Sequence, residues 1–231
     1  MSGFDYIRKN IDEIRKEIDS INKNVKLLGV TKTFSVEAVE AAIECGLIEF
    51  GESKVQESES KVAAINNSHS GITWHFIGHL QGNKAGKVIE NFSVIESCDS
   101  IELLERISRL SLGSGRVTRC LLEIKVSPEE TKFGILPEEA PMVIDRVRRL
   151  GGIKIAGLMT MAPYSDNPEN ARPYFKKART LFDSLKASSA GGNVSMDILS
   201  MGMSDDFKVA IDEGSTQVRI GTAIFGKRDY V

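Results

Sequence analysis

Eight short apolar runs, at residues 25–31, 47–50, 73–77, 93–96, 117–126, 153–159, 196–199 and 216–220, punctuate this chain, with helix-forming stretches between them. Runs of that length read as strands, and their alternation with helices is the pattern of parallel βα units. Ser35 is placed to cap a helix reaching about Cys45 and closed by Gly46. Further helices are predicted from Lys54, near Gln81, from Ser100, and over 137–150, 168–187 and 204–213. An open doubly wound sheet shows the same alternation, but a count of eight and the lack of a GxGxxG turn after the first strand favour closure. Closure also leaves no exposed parallel edge. The chain is therefore predicted to be α/β, a single (β/α)8 TIM-type barrel spanning residues 1–231, with an extra N-terminal helix. Its 231 residues lie near the roughly 250 typical of that fold.

The extra helix rests on Phe4, Ile7, Ile11, Ile14, Ile18 and Ile21, whose spacing of three and four puts six apolar side chains on one stripe. Such a stripe must dock, and packing across the domain is expected rather than a partner helix. With 41% hydrophobic residues the chain can fill a core, and a formal charge of -2 gives no bulk attraction to nucleic acid. Cys45, Cys98 and Cys120 are odd in number and lack CxxC spacing, which favours free thiols and a cytoplasmic location. No run approaches the roughly 18 apolar residues of a membrane span, and the N-terminus has no secretory apolar region, so no membrane association is expected.

In barrels of this kind function gathers where the strands end. Those positions hold Lys32, Glu52, Ser53, His75, His79, Thr160, Ser200, Met203, Ser204, Arg219, Gly221 and Thr222. If Val30 faces the core, Lys32 shares its side and points along the barrel mouth. There it is either a surface lysine or an imine-forming amine, which needs partial burial among apolar neighbours. The segment SMGMSDDF puts a glycine and a helix start after one strand, and RIGT ends the last one. Both could meet a phosphate, and both could be an ordinary turn. His75 and His79 have HxxxH spacing, but Gly78 interrupts them and no glutamate follows the first histidine, so no metal is expected. GHLQGNKAGK lacks the GxxxxGK[ST] pattern of a P-loop.

The ordered motifs LLGVTKT, FGESKVQE, HFIGHLQGNK, GLMTM, SMGMSDDF and RIGTAIFG resemble those of the pyridoxal 5'-phosphate (PLP) homeostasis family, with its alanine-racemase-like N-terminal barrel. The resemblance spans nearly the whole chain and implies a modified (β/α)8 barrel. It also implies that Lys32 forms a Schiff base with the PLP aldehyde, and that Ser200, Gly221 and Thr222 hold the phosphate. Arg219 would face the pyridine nitrogen, and Met201 and His79 would lie near the cofactor. Ser53 and Lys54 depart from the family's FGENYVQE, which puts one orienting contact in question, since serine cannot reproduce all of an amide's hydrogen bonds.

Two kinds of function follow from that resemblance. A protein that buffers or delivers PLP, with apo PLP-dependent enzymes as recipients, is the leading expectation, as a monomer or weak homodimer without robust amino-acid turnover. The alternative is an amino-acid racemase or other PLP-dependent enzyme. Related racemases use a tyrosine from a second, β-rich domain, whereas this chain ends at Val231 soon after its eighth strand, and no acid opposite Lys32 is recognisable in the sequence. A phosphate-binding barrel enzyme without PLP would leave Lys32 incidental.

Overall fold

A computed structural model describes residues 4–127, 129, 133–188 and 191–227. Its strands are β1 (Lys26–Val30), β2 (Glu49–Glu52), β3 (Thr73–Phe76), β4 (Val94–Cys98), β5 (Thr118–Glu123), β6 (Ile153–Met159), β7 (Val194–Ser200) and β8 (Gln217–Ile220). They pair in parallel and in chain order, and β8 returns to β1 to close the barrel. The helices are α1 (Asp5–Asn22), α2 (Val36–Glu44), α3 (Val55–Ser68), α4 (Ala85–Asn91), α5 (Ile101–Gly113), α6 (Ala140–Val147), α7 (Arg172–Ser188), α8 (Phe207–Asp212) and α9 (Thr222–Phe225).

Several boundaries differ from the periodic pattern for local reasons. β5 stops at Glu123 because the next residues turn to pair elsewhere: Ile135 N donates to Glu123 O at 2.8 Å and Lys125 N donates to Ile135 O at 3.0 Å. The helix expected over 168–187 begins as a 3-10 turn at Pro168–Ala171. α8 starts later than Ser204, because Asp206 Oδ1 accepts the Met203 amide at 2.7 Å and closes a turn first. Ser35 stands at the N-cap of α2 without a side-chain capping bond. α9, a single turn after β8, was not anticipated.

The β6–β7 register shifts between Ile155 and Gly157. Gly157 has φ +155°, and a Cβ there would lie 1.8 Å from Ile198 O, so only glycine lets the two strands pass at this bulge.

The expected docking of α1 is observed over four of the six stripe residues, while Phe4 is partly buried and Ile21 is exposed. Ile7, Ile11, Ile14 and Ile18 are buried, and the helix packs on α2, α8 and α9. Burying each isoleucine stabilises by about 2 kcal/mol relative to exposure. The helix also serves α9: Tyr6 Oη donates to Phe225 O at 3.1 Å and Asn10 Nδ2 to Ile224 O at 2.9 Å, satisfying carbonyls that a single turn leaves open. The main apolar core fills the layer between sheet and helices, and a smaller cluster of Val94, Leu121, Ala156, Met159 and Ile198 occupies part of the barrel interior. Cys45, Cys98 and Cys120 are free thiols, the last two buried. No helix among the described residues is long and apolar enough to cross a membrane.

Candidate functional site

Leu28 pairs in register with Arg219, whose side chain crosses the barrel interior, so Leu28 and by alternation Val30 face inward. Lys32 follows two residues beyond β1, in the turn at the mouth, half-buried. Its turn is held from behind. Thr31 Oγ1 donates to Glu52 Oε1 at 2.8 Å, while Lys61 of α3 reaches Glu52 Oε1 at 2.7 Å and Thr31 O at 2.8 Å. The Thr33 amide donates to Glu57 Oε1 at 2.5 Å, and Thr33 itself has φ 72°. That left-handed geometry is unusual for threonine and persists only where the surroundings determine it. Burial raises the pKa of Glu52 against the opposing pull of Lys61 and Thr31.

Across the β1–β8 seam, Arg219 spans three strand ends. Nη1 donates to Ser200 O at 2.8 Å and to Ser200 Oγ at 2.7 Å, and Nη2 donates to Thr160 O at 2.9 Å. Burial lowers the pKa of this guanidinium, while Glu96, Glu123 and Asp206 counteract it. These bonds leave N–H capacity for one further planar acceptor. Just beyond lie Gly221, at the N-cap of α9, and exposed Thr222. Ser204 Oγ accepts from the Ala223 amide at 3.3 Å, which places a hydroxyl against the amide end of that turn.

Two expected contacts are corrected here. The Ser200 hydroxyl is not available to a phosphate: it donates to Glu96 Oε2 at 2.7 Å, accepts from Arg219 and Gln217, and is fully buried. Met201 follows Ser200 in strand alternation and so points outward, fully buried in the sheet–helix layer rather than at the mouth. The serine of SMGMSDDF that meets the α9 turn is Ser204, four residues after the strand ends.

Below the mouth runs a polar column that sequence reasoning did not foresee. His75 Nδ1 meets Glu96 Oε1 at 2.6 Å and its Nε2 lies 3.5 Å from Glu49 Oε2, while Lys26 closes the far end on Glu49 at 2.6 Å. Gln217 Nε2 adds a 2.6 Å bond to Glu96. Burial opposes charge at each site, yet the hydrogen bonds from His75 and Lys26 hold Glu49 at about 2. Glu49 and Glu96 in turn raise the pKa of His75 despite its burial. A Glu49–His75–Glu96 column thus backs the Ser200 and Arg219 pair.

His79 lies at the mouth apart from His75, so the HxxxH spacing brings no ligands together, and no metal-binding cluster occurs among the described residues. Its Nδ1 pairs with Asp99 Oδ2 at 3.0 Å and its ring stacks on Phe133 at 3.8 Å. Ser53 and His79 line a cavity of about 240 Å³ together with Lys54 and Lys84. Gly78 has no room for a side chain, since a Cβ would lie 2.1 Å from Ser53 O. On its other side His79 borders a cavity of about 180 Å³, lined also by Ile77, Glu123, Lys125, Phe133 and Met161. Glu123 ends β5, across the ring from β1. Burial, reinforced by Asp99 and opposed by Arg219, raises its pKa to about 7. Its place at the strand end does not by itself single this acid out in the sequence. Lys132 and residues 228–231 lie outside the described residues.

A closed βα barrel with a lysine ending the first strand, an arginine on the eighth and a capped turn beyond it is the arrangement of one class of cofactor-binding barrel. The family model for the alanine racemase N-terminal domain matches residues 4–229. A pyridoxal phosphate homeostasis protein of Aquifex aeolicus (strain VF5) is 42% identical over 205 residues, covering 89% of this chain and 88% of that protein. The structure of PipY from Synechococcus elongatus PCC7942 with PLP bound superposes with a TM-score of 0.87 at 33% identity, over 95% of this chain and 100% of that one. The chain belongs to the pyridoxal phosphate homeostasis protein family. An alanine racemase of Clostridium difficile 630 shares the fold, with a TM-score of 0.76 at 16% identity, over 96% of this chain and 60% of that one.

Proposed function

We propose that this protein holds PLP as a Schiff base on Lys32 and acts in PLP homeostasis, buffering the cofactor in the cytoplasm or delivering it to apo PLP-dependent enzymes. The observation that carries this reading is the convergence of Lys32, Arg219 and the Ser204-capped α9 turn on one barrel mouth. These groups match the cofactor's chemistry in turn: an amine for the aldehyde, a buried planar donor for the pyridine nitrogen, and backbone amides with hydroxyls for the phosphate.

When bound, PLP supplies a carbonyl carbon that primary amines take up reversibly. The protein's residues do the rest. Lys61, Glu52 and Glu57 fix the turn carrying Lys32. Arg219 donates to the ring nitrogen without giving up a proton, because a guanidinium stays charged, and so keeps the ring a weak electron sink. Ser204, Gly221 and Thr222 form the phosphate cup in this reading, with Ser200 as the support of Arg219. His79 and Ser53 border the open side of the site.

Mixing the PLP-loaded protein with an apo PLP-dependent enzyme, beside a parallel panel of D- and L-amino acids, tests this function. Reactivation of the apo enzyme without amino-acid turnover is expected. Lys32-dependent conversion of any amino acid at roughly 1 to 10³ per second would instead establish the racemase-like alternative.

A further inference from the structure

The mechanism above leaves one buried acid without a role. Glu123 closes β5 on the inward side, is 7% exposed, and makes no ion pair or hydrogen bond through its carboxylate with the described residues. A carboxyl taken so far out of water without a partner is costly to keep charged, and such groups concentrate where proton transfer is needed. It is not isolated from solvent or ligand, because it lines the 180 Å³ cavity at the mouth. That cavity has the apolar walls Ile77, Phe133 and Met161, with His79 at its rim. In the closed ring β5 stands four strands from β1, so the cavity opens across the mouth from Lys32.

We propose that this cavity is the subsite for the incoming primary ammonium group, and that Glu123 takes that group's proton before the amine accepts the aldehyde from Lys32. The inference rests on the reading that PLP is held at Lys32. The exchange balances as follows. The ammonium N–H bond breaks and an O–H bond forms on Glu123. The freed amine nitrogen then bonds to the aldehyde carbon and passes one of its two remaining protons to the Lys32 nitrogen, which already carries the proton of the protonated imine, and the double bond from that carbon to Lys32 is replaced by one to the incoming nitrogen. Glu123 returns its proton to Lys32, which leaves as an ammonium. No oxidant or further reactant is needed.

The surroundings suit this task. The charged and titratable groups facing Glu123 are the Cys98 thiol on β4, Asp99 after β4, Arg219 on β8, His79 after β3 and Lys125 beyond β5, with Met159 and Met161 on the β6 side. Burial disfavours the charged form and Asp99 reinforces it, while Arg219 limits the effect, which leaves the acid near neutrality. A base is most effective when its pKa lies near the working pH. The same carboxylate pair attracts a cationic amine, whereas a neutral amine gains nothing from it.

The test compares Glu123→Gln with the unmodified protein, both loaded with PLP, in rapid-mixing absorbance measurements between pH 5.5 and 8.5 (about three units centred near the acid's pKa). Two probes are used: Nα-acetyl-lysine, whose amine arrives as an ammonium, and hydroxylamine, which arrives mostly neutral in the upper half of that pH range, where the two probes are compared. The substitution is expected to slow the Nα-acetyl-lysine reaction on the order of 10²-fold and to remove a pH break near 7, while the hydroxylamine reaction is unchanged. Equal slowing of both probes would mark a merely structural role, and unchanged rates with both would mark no role. Either result overturns the proposal. Borohydride reduction and peptide mass spectrometry of both proteins beforehand separates the two levels of argument, because absence of an adduct on Lys32 refutes the underlying reading instead.

Discussion

Lys61→Ala offers a sharp test of how the Lys32 turn is held. Lys61 is buried against fully buried Glu52, and its ammonium satisfies both that carboxylate and Thr31 O. Removing one partner of a buried pair leaves the other charge uncompensated, so a loss of about 3 to 5 kcal/mol in unfolding free energy is expected at pH 8. The pH dependence gives the argument a second handle. Burial already raises the folded-state pKa of Glu52, which means the native protein binds that proton more tightly than the unfolded chain does. Stability from this group is therefore full below the unfolded carboxylate value of about 4.3 and falls as pH rises toward the folded value. Deleting Lys61 removes the main force holding the carboxylate charged and moves the upper limit higher. The damage should thus shrink on acidification, by about 1.4 kcal/mol for each unit over which Glu52 is protonated in the variant alone. What persists in acid is the lost hydrogen bond to Thr31 O, about 1 kcal/mol. Urea unfolding followed by circular dichroism at pH 5, 6.5 and 8 measures this directly. A loss below about 1 kcal/mol, or one that does not change with pH, would refute the account of the pair.

Lys32→Ala should abolish the borohydride-reducible adduct, as read by mass spectrometry; a full adduct persisting on Lys54, Lys84 or Lys132 would show the assignment to be mistaken. Ser204→Ala should weaken PLP binding roughly tenfold to a hundredfold while sparing pyridoxal, the loss of a hydrogen bond to a charged group being about 1.5 to 3 kcal/mol. Ser200→Ala should disturb PLP and pyridoxal alike, because that hydroxyl supports Arg219 and touches no phosphate in this arrangement. Fluorescence titration with both ligands checks the pair. Gly157→Ala should yield little folded protein, since its Cβ meets Ile198 O at the β6–β7 bulge; recovery of a normally folded barrel by circular dichroism would contradict that reading.

The barrel was legible because each strand is short and apolar and each is bounded by helix-forming sequence, so the count of eight survived even where boundaries slipped. The slips have two causes. At Glu123 the chain leaves the strand because Ile135 returns onto β5, a contact from outside the segment, whereas at Ser204 and Pro168 a specific local turn comes first, Asp206 accepting the Met203 amide and a 3-10 turn before α7. Periodicity within a window cannot register such contacts. α9 escaped notice for a related reason. A four-residue turn has no amphipathic period, and its stability comes from Tyr6 and Asn10, more than 200 residues earlier in the chain.

The site was legible at its rim and not in its interior. Lys32, Arg219 and Gly221 stand at strand ends, where position alone singles them out, but Ser200 and Met201 were judged by motif when alternation decides which way each points. Glu96 and Glu123 carried a different signal. Each follows an apolar pair, Val94 and Ile95 or Leu121 and Leu122, and a glutamate in a strand is seldom buried unless something requires it. For Glu96 the requirement is visible in the structure, since His75, Ser200 and Gln217 surround it and Arg219 lies 4.0 Å away. For Glu123 no such partners exist among the described residues, although β5 is no better hydrated there. The two acids occupy one barrel, Glu96 in the middle of β4 and Glu123 at the end of β5, yet one is held as a carboxylate and the other is left near neutrality. That difference is the physical ground for giving Glu96 a supporting part beneath Arg219 and Glu123 a part in moving protons at the open mouth.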